Sequence, residues 1–198
     1  MRRLIVGLSG ASGAIFGVRL LQVLRGTDVE THLVVSKWAQ QTLEHETGFT
    51  TKQVRELAAV SYEAGNMGAA ISSGSFITDG MVVLPCSMRT LAAIAYGTGD
   101  TLIHRAADVV LKERRRLVLG VRETPFNDIH LENMLKLSRM GVTILPLTPA
   151  FYSRPQSIDD IVDHLVARVL DQFSISTDLA KRWAGDMHAK IARLEPKT

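Results

Sequence analysis

The sequence predicts an α/β protein with an open, mostly parallel sheet and helices on both faces. Two observations lead there. Short, continuous apolar runs recur along the chain, and stretches with helical periodicity alternate with them throughout. Continuous apolar runs are what a strand needs when both faces of its sheet are covered. The 198 residues, 46% hydrophobic and 22% charged, suit one domain over 1–198 with a real core.

The elements follow in order. Residues 3–8 are a compact apolar run and predict the first strand. Over 13–25, Ile15, Val18, Leu21 and Leu24 fall at helical spacing. A second strand is expected over 31–35, followed by helical patterns over 37–47 and 51–60. GMVVL (80–84), LVLGV (117–121) and VTIL (142–145) predict the later strands, with helices over 87–96, 101–114 and 127–140 between them. The loop 146–157 is the most irregular segment, with Pro146, Pro149 and Pro155. Ser157 and Asp160 make a capping-box-like start to a helix over 158–173. A last helix is expected at about 178–193.

Composition narrows the function. The 23 basic and 20 acidic residues leave a net charge of +3, which favours anionic ligands but does not point to nucleic acid. One cysteine, Cys86, allows no internal disulfide, and the six scattered histidines have no metal-ligand spacing, so no metal is expected. Met1-Arg2-Arg3 imitates the start of a secretory leader, but the apolar run breaks at Gly7. No run approaches the ~18 apolar residues of a membrane span. A cytoplasmic protein is expected.

The first strand runs into Gly7, Ser9, Gly10, Ser12 and Gly13 and then directly into a helix. Strand, glycine loop and helix N-terminus together make an anion site, with backbone N–H groups and hydroxyls as donors. The spacing Gly7-x-x-Gly10-x-x-Gly13 is not that of a dinucleotide site, and Val35-Ser36-Lys37 follows the second strand where a ribose-binding acid would stand. Serine and lysine there suit a phosphate better than a ribose diol. A tight turn with no ligand is the plainer reading. Other strand ends carry Cys86-Ser87-Met88-Arg89-Thr90, Arg122-Glu123 and Phe151-Tyr152-Ser153-Arg154. A charged pair ending a buried strand is costly unless used or paired. Cys86 reads as a small buried filler, and the run 112–116 (KERRR) as a solvated face. Arg105 and Lys112 share a helix face with Asp108 between them, which a surface salt-bridge ladder explains equally well. Arg168 interrupts an apolar helix face and reads as snorkelling to water. The residues alone therefore indicate an α/β protein for a flat, phosphorylated ligand, without naming a reaction.

The stretches GLSGASGAIFGVRLL, VVSKWAQQTLEHET, LPCSMRTLAAIAYG, IHRAADVVLKERRRLVLGVRETPF, HLENMLKLSRMGVTILP and FYSRPQSIDDIVDHLVARVLD resemble, in order, the motifs of the UbiX-like flavin prenyltransferases, once described as phenylacrylic acid decarboxylases. The resemblance covers residues 3 to about 183. It implies a Rossmann-like three-layer α/β/α fold and a homo-oligomer, a dodecamer built from trimers. It implies FMN held by Gly10, Ala11, Ser12, Ser36, Ser87, Met88, Arg89, Thr90 and Arg122. The implied reaction joins a dimethylallyl group from dimethylallyl phosphate to N5 and C6 of reduced FMN, giving prenylated FMN for a UbiD-like decarboxylase. Arg105, Lys112, Arg122, Tyr152 and Arg168 would bind the donor's phosphate, part of the set coming from a neighbouring subunit. Catalysis would involve Glu46, Lys112, Glu123 and Ser12, with Trp183 among the aromatic groups near the allyl cation. Two departures, Arg89 in CSMRT and Trp38 after Ser36-Lys37, remove no catalytic group.

Rival readings share the fold. Flavoproteins that decarboxylate peptidyl cysteines need a catalytic histidine and an Asn-containing motif, where this chain has PCSMRT. Two more rivals are direct FMN-dependent decarboxylation of aromatic acids and a non-enzymatic flavin carrier. Lys112, Glu123, Tyr152 and Arg168 separate a carrier from a transferase.

Overall fold

The structure is a computed structural model and describes residues 2–180. Six strands, β1 (Arg2–Leu8), β2 (Val29–Val35), β3 (Val60–Glu63), β4 (Gly80–Cys86), β5 (Arg116–Val121) and β6 (Thr143–Ile144), form one sheet in the order β3-β2-β1-β4-β5-β6. Every pairing in it is parallel. The helices are α1 (Ala14–Leu24), α2 (Lys37–Thr47), α3 (Thr51–Arg55), α4 (Met88–Tyr96), α5 (Leu102–Lys112), α6 (Asp128–Arg139) and α7 (Ile158–Asp171). The fold class is the expected one.

Alternation along each strand makes the three layers. On β4, Val82 and Leu84 face one core, and Met81, Val83 and Cys86 face the other. The first core is closed by α1, α2 and α7 through Val18, Leu21, Leu43, Val166 and Val169. The second is closed by α4 and α5 through Leu91, Ile94, Ile103, Ala107 and Val110. Because both faces are covered, the central strands carry no polar alternation, and their apolar runs were readable from sequence. Arg19 ties α1 to α7 with a two-point grip on Asp163, at 2.6 and 3.1 Å.

Two expectations need correction. The helical pattern over 51–60 ends at Arg55, and the chain then forms β3, which was not predicted. β3 is a short edge strand whose residues are only partly buried, so it has no apolar run to announce it; its register comes from His32–Val35 of β2. Residues 178–180 form a bend, and the rest of the helix expected at 178–193 lies outside the described residues. Among the described residues no helix is long and apolar enough to cross a membrane.

The strand order reverses between β1 and β4, and the crevice beyond their carboxyl ends is where open α/β sheets bind ligands. The glycine loop after β1 and the Ser87–Thr90 segment after β4 form its walls.

Leu21 is fully buried under α1. Leu21→Ala is expected to cost about 2–5 kcal/mol, and Lys52→Ala on exposed α3 less than about 0.5 kcal/mol. Urea unfolding followed by circular dichroism distinguishes the two, and equal effects would contradict this placement of the core.

Candidate functional site

The two walls of the crevice are stitched together by one buried hydroxyl. Ser9 Oγ donates to the Pro85 carbonyl at 2.9 Å and accepts from the Ser87 N–H at 2.8 Å. Ser9 was expected among the ligand's donors; its hydroxyl is instead committed to joining the loops after β1 and β4. On either side, Ser36 caps α2 by accepting from Ala39 N–H at 3.2 Å, and Ser87 caps α4 by accepting from Thr90 N–H at 3.3 Å. The Ser87 hydroxyl donates to Thr90 Oγ1 at 3.1 Å.

Between these caps lies a cleft of about 420 Å³. It collects five of the predicted flavin-binding residues: Gly10, Ser36, Ser87, Arg89 and Thr90. A Cβ on Gly10 would stand 2.5 Å from Trp38 Cβ, so only glycine lets the loop pass beneath α2 here. Ala11 and Met88 are buried in the walls, and Ser12 and Arg122 are exposed outside the cleft. Sequence reasoning missed Asp100, Thr101, Ile103 and His104, which bring the start of α5 into the same cleft. The i,i+4 spacing of Asp100 and His104 was the signal available; nothing local ties it to a glycine loop about ninety residues upstream.

The N-terminus of α1 is occupied by the chain's own carboxylate. Gly13 adopts φ +97°, a left-handed conformation, and supplies no side-chain cap. Glu46, reaching from α2, accepts from the N–H groups of Gly13 at 2.8 Å and Ala14 at 3.0 Å. The helix-terminus charge expected to meet a phosphate is thus neutralised by Glu46. Burial raises the affinity of Glu46 for a proton, but hydrogen bonds from Ala14, the Ser12 hydroxyl and Gly13, with the charge of Arg122, outweigh it and hold the carboxyl below its ordinary value. Three predicted residues, Ser12, Glu46 and Arg122, therefore form one cluster.

The remaining predicted cations do not converge within one subunit. Arg105 donates to the Ser72 carbonyl at 3.2 Å and pairs with Asp108 at 2.7 Å. Lys112 pairs with Glu113, at the far end of α5. The expected ladder through Asp108 therefore takes Arg105 alone. Arg168 is on the outer surface of α7, paired with Asp171 at 2.7 Å, and α7 covers the opposite face of the sheet from α5. Tyr152, in the loop after β6, has its ring edge-on to His164 at 5.6 Å between centroids. Arg122 and Glu123 end β5 in solvent, so the pair escapes the burial cost foreseen for it. Glu123 accepts from the Thr124 N–H at 3.1 Å. Arg115 in the basic run turns inward to the carbonyls of Phe76 and Gly74, at 2.8 and 2.6 Å, and so is not a solvated member of that run. Cys86 is fully buried, and burial pushes its thiol far above the ordinary range, so it is no nucleophile.

Two outcomes follow. A carboxyl held low in the fold contributes stability that is present above its ordinary value of 4.5 and is lost as pH falls through its lower folded value. Glu46→Gln should therefore reduce stability at neutral pH and flatten the acid limb of the stability curve; urea titrations between about pH 3 and 7 read this. An acid limb as steep as wild type would contradict it. Cys86 should react with a thiol reagent only at the rate of unfolding.

The Flavoprotein family pattern matches residues 1–170. The flavin prenyltransferase UbiX of Escherichia coli is 58% identical over 188 residues, covering 93% of this chain and 100% of that protein. The crystal structure of AnUbiX in complex with FMN and dimethylallyl pyrophosphate superposes with a TM-score of 0.92 at 52% identity, over 93% of this chain and 98% of that one. A dodecameric FMN-dependent UbiX-like decarboxylase from Escherichia coli O157:H7 superposes with a TM-score of 0.91 at 59% identity, over 92% and 100% of the two chains. With the switch-point cleft, the matched family and this identity along nine-tenths of its length, the chain belongs to the UbiX-like flavin prenyltransferases of the Flavoprotein family.

Proposed function

We propose that this protein joins a dimethylallyl group from dimethylallyl phosphate to N5 and C6 of reduced FMN, releases phosphate, and supplies prenylated FMN to a UbiD-like decarboxylase. The observation that carries the reading is the cleft between the β1 and β4 loops, lined by Gly10, Ser36, Ser87 and Thr90, in a chain so similar to AnUbiX, which holds FMN and dimethylallyl pyrophosphate. The donor's phosphate is gripped by Arg105, Lys112, Arg122, Tyr152 and Arg168. Cations and a phenol around a departing phosphate stabilise the charge that develops as the allylic C–O bond breaks. They perform the neutralisation that a metal ion supplies elsewhere, so full activity in a chelator is expected.

The grip is completed between subunits. Arg105 and Lys112 on α5 come from one copy, and Tyr152 and Arg168 beside α7 from another. What supports this is their position on opposite faces of one sheet. Ile129, Leu131 and Leu135 on α6 are 64%, 51% and 51% exposed, an apolar surface suited to a homo-oligomer. The assembly proposed is a dodecamer of trimers, like the dodecameric relative.

Ring closure at C6 requires a proton added to the remaining prenyl double bond, making the carbon that C6 attacks, and the C6 proton removed. Glu46, held ionised by three donors, is a weak base and instead orients Ser12 and Arg122. Proton acceptance falls to Glu123, in competition with the released phosphate.

Anaerobic incubation with reduced FMN and dimethylallyl phosphate, followed by mass spectrometry of the released flavin, should show a gain of one prenyl unit. Unmodified FMN from protein holding both ligands would favour a carrier or a decarboxylase. Lys112→Ala and Arg168→Ala should each bind FMN but lose turnover, and co-assembly of the two variants should restore part of it. No restoration in mixed oligomers would contradict the shared grip.

A further inference from the structure

The reading of Lys112 as a ligand of the donor's phosphate leaves its neighbour Glu113 without a role. Lys112 ends α5 and opens onto a groove of about 1150 Å³ at the amino ends of β4, β5 and β6, with Arg114, Arg115 and Arg116 along its wall. Its ammonium is half-exposed and donates to Glu113 Oε1. Glu113 has a second cation, for its Oε2 lies 4.0 Å from Arg115. Arg115 is fixed, because its guanidinium donates to the Phe76 and Gly74 carbonyls at 2.8 and 2.6 Å. Lys112 first, and Arg115 less, hold the Glu113 carboxyl below its ordinary value, so it is charged at neutral pH. The pair thus joins an anchored carboxylate to an ammonium on a flexible stem. Gly74 gives the pair its seat. A Cβ at that position would stand 2.7 Å from Lys112 Nζ and 2.8 Å from Glu113 Cδ. The Gly74 backbone is not among the left-handed glycines, so its conformation does not demand glycine. The nearest atoms a side chain would meet are the ends of two flexible side chains, so a methyl there displaces the pair and leaves the fold. A phosphate in the groove draws the same ammonium away from Glu113, and Arg115 stays to compensate the carboxylate left behind.

We propose that Glu113, anchored by Arg115 and seated with Lys112 over Gly74, competes with the donor's phosphate for Lys112 and so sets the affinity of the site for phosphate. The inference rests on the donor reading of Lys112 above and adds the residues that weaken the hold on the phosphate released. Glu113 and Gly74 are positioning residues, and both act only through Lys112.

Calorimetric binding of inorganic phosphate to the FMN-loaded protein at low salt tests it. Glu113→Gln removes the competing charge, and Gly74→Ala crowds the seat without changing any charge. Each should tighten phosphate binding about two- to fivefold, the worth of an exposed ion pair. A merely structural role would weaken binding or leave it unchanged. Inhibition of prenyl transfer by phosphate should strengthen in step. In a Lys112→Ala background neither substitution should tighten binding. If Gly74→Ala does not fold, Glu113→Gln with and without Lys112 decides the matter. No tightening in Glu113→Gln would overturn the inference while leaving the donor site intact. So would tightening in Glu113→Gln but not in a folded Gly74→Ala, or tightening that persists without Lys112. No phosphate binding by wild type, or equal binding by wild type and Lys112→Ala, would overturn the donor reading of Lys112, and this inference with it.

Discussion

The site depends on the bond network of Ser9. The sheet winds outward in both directions from β1 and β4, so the loops leaving these neighbours diverge. A crevice opens there whether or not it has a defined shape. Ser9 gives it one, because a single hydroxyl on the β1 wall both donates to and accepts from the β4 wall in a site where water does not compete. The capping serines both tie back to the end of β1, Ser36 N–H to the Leu8 carbonyl at 2.9 Å and Ser87 N–H to Ser9. Gly10 keeps the space between them open under Trp38.

Glu46 ties the glycine loop beside that crevice to α2. Its carboxylate satisfies the first N–H groups of α1, where that loop ends. The same carboxylate lies in the field of Arg122 and takes a hydrogen bond from Ser12. These bonds keep the carboxyl in its charged form at neutral pH. Stability and chemistry thus draw on one side chain.

The basic residues obey a different constraint. A sheet with helices on both faces keeps its outer surfaces far apart, and Arg105 and Lys112 are on one while Arg168 is on the other. Each cation has a local acidic partner, Asp108, Glu113 or Asp171, which holds it extended on the surface. Exposed pairs of this kind contribute little to stability. The grip proposed for the donor's phosphate would exchange these pairs for a stronger anion across two copies.

How much was legible in the sequence differs by element. The central strands were legible because burial on both faces forces an unbroken apolar run, and helix starts were legible where Ser157 or Ser87 carries a cap. β3 was not, because an edge strand takes its shape from its neighbour's hydrogen bonds and not from its own hydrophobicity. Gly10, Ser36, Ser87 and Thr90 were legible as loop and cap residues at strand ends, whereas Thr101 and His104 were not, because their place in the cleft comes from packing α5 on the second core. Local patterns by themselves determined the elements other than β3, the wound sheet and the ends of the strands where chemistry would lie. Only the tertiary structure decided that Ser9 joins the loops, that Glu46 takes the helix terminus and that the cations face apart, since each is a contact between segments distant in sequence, fixed by how the layers pack.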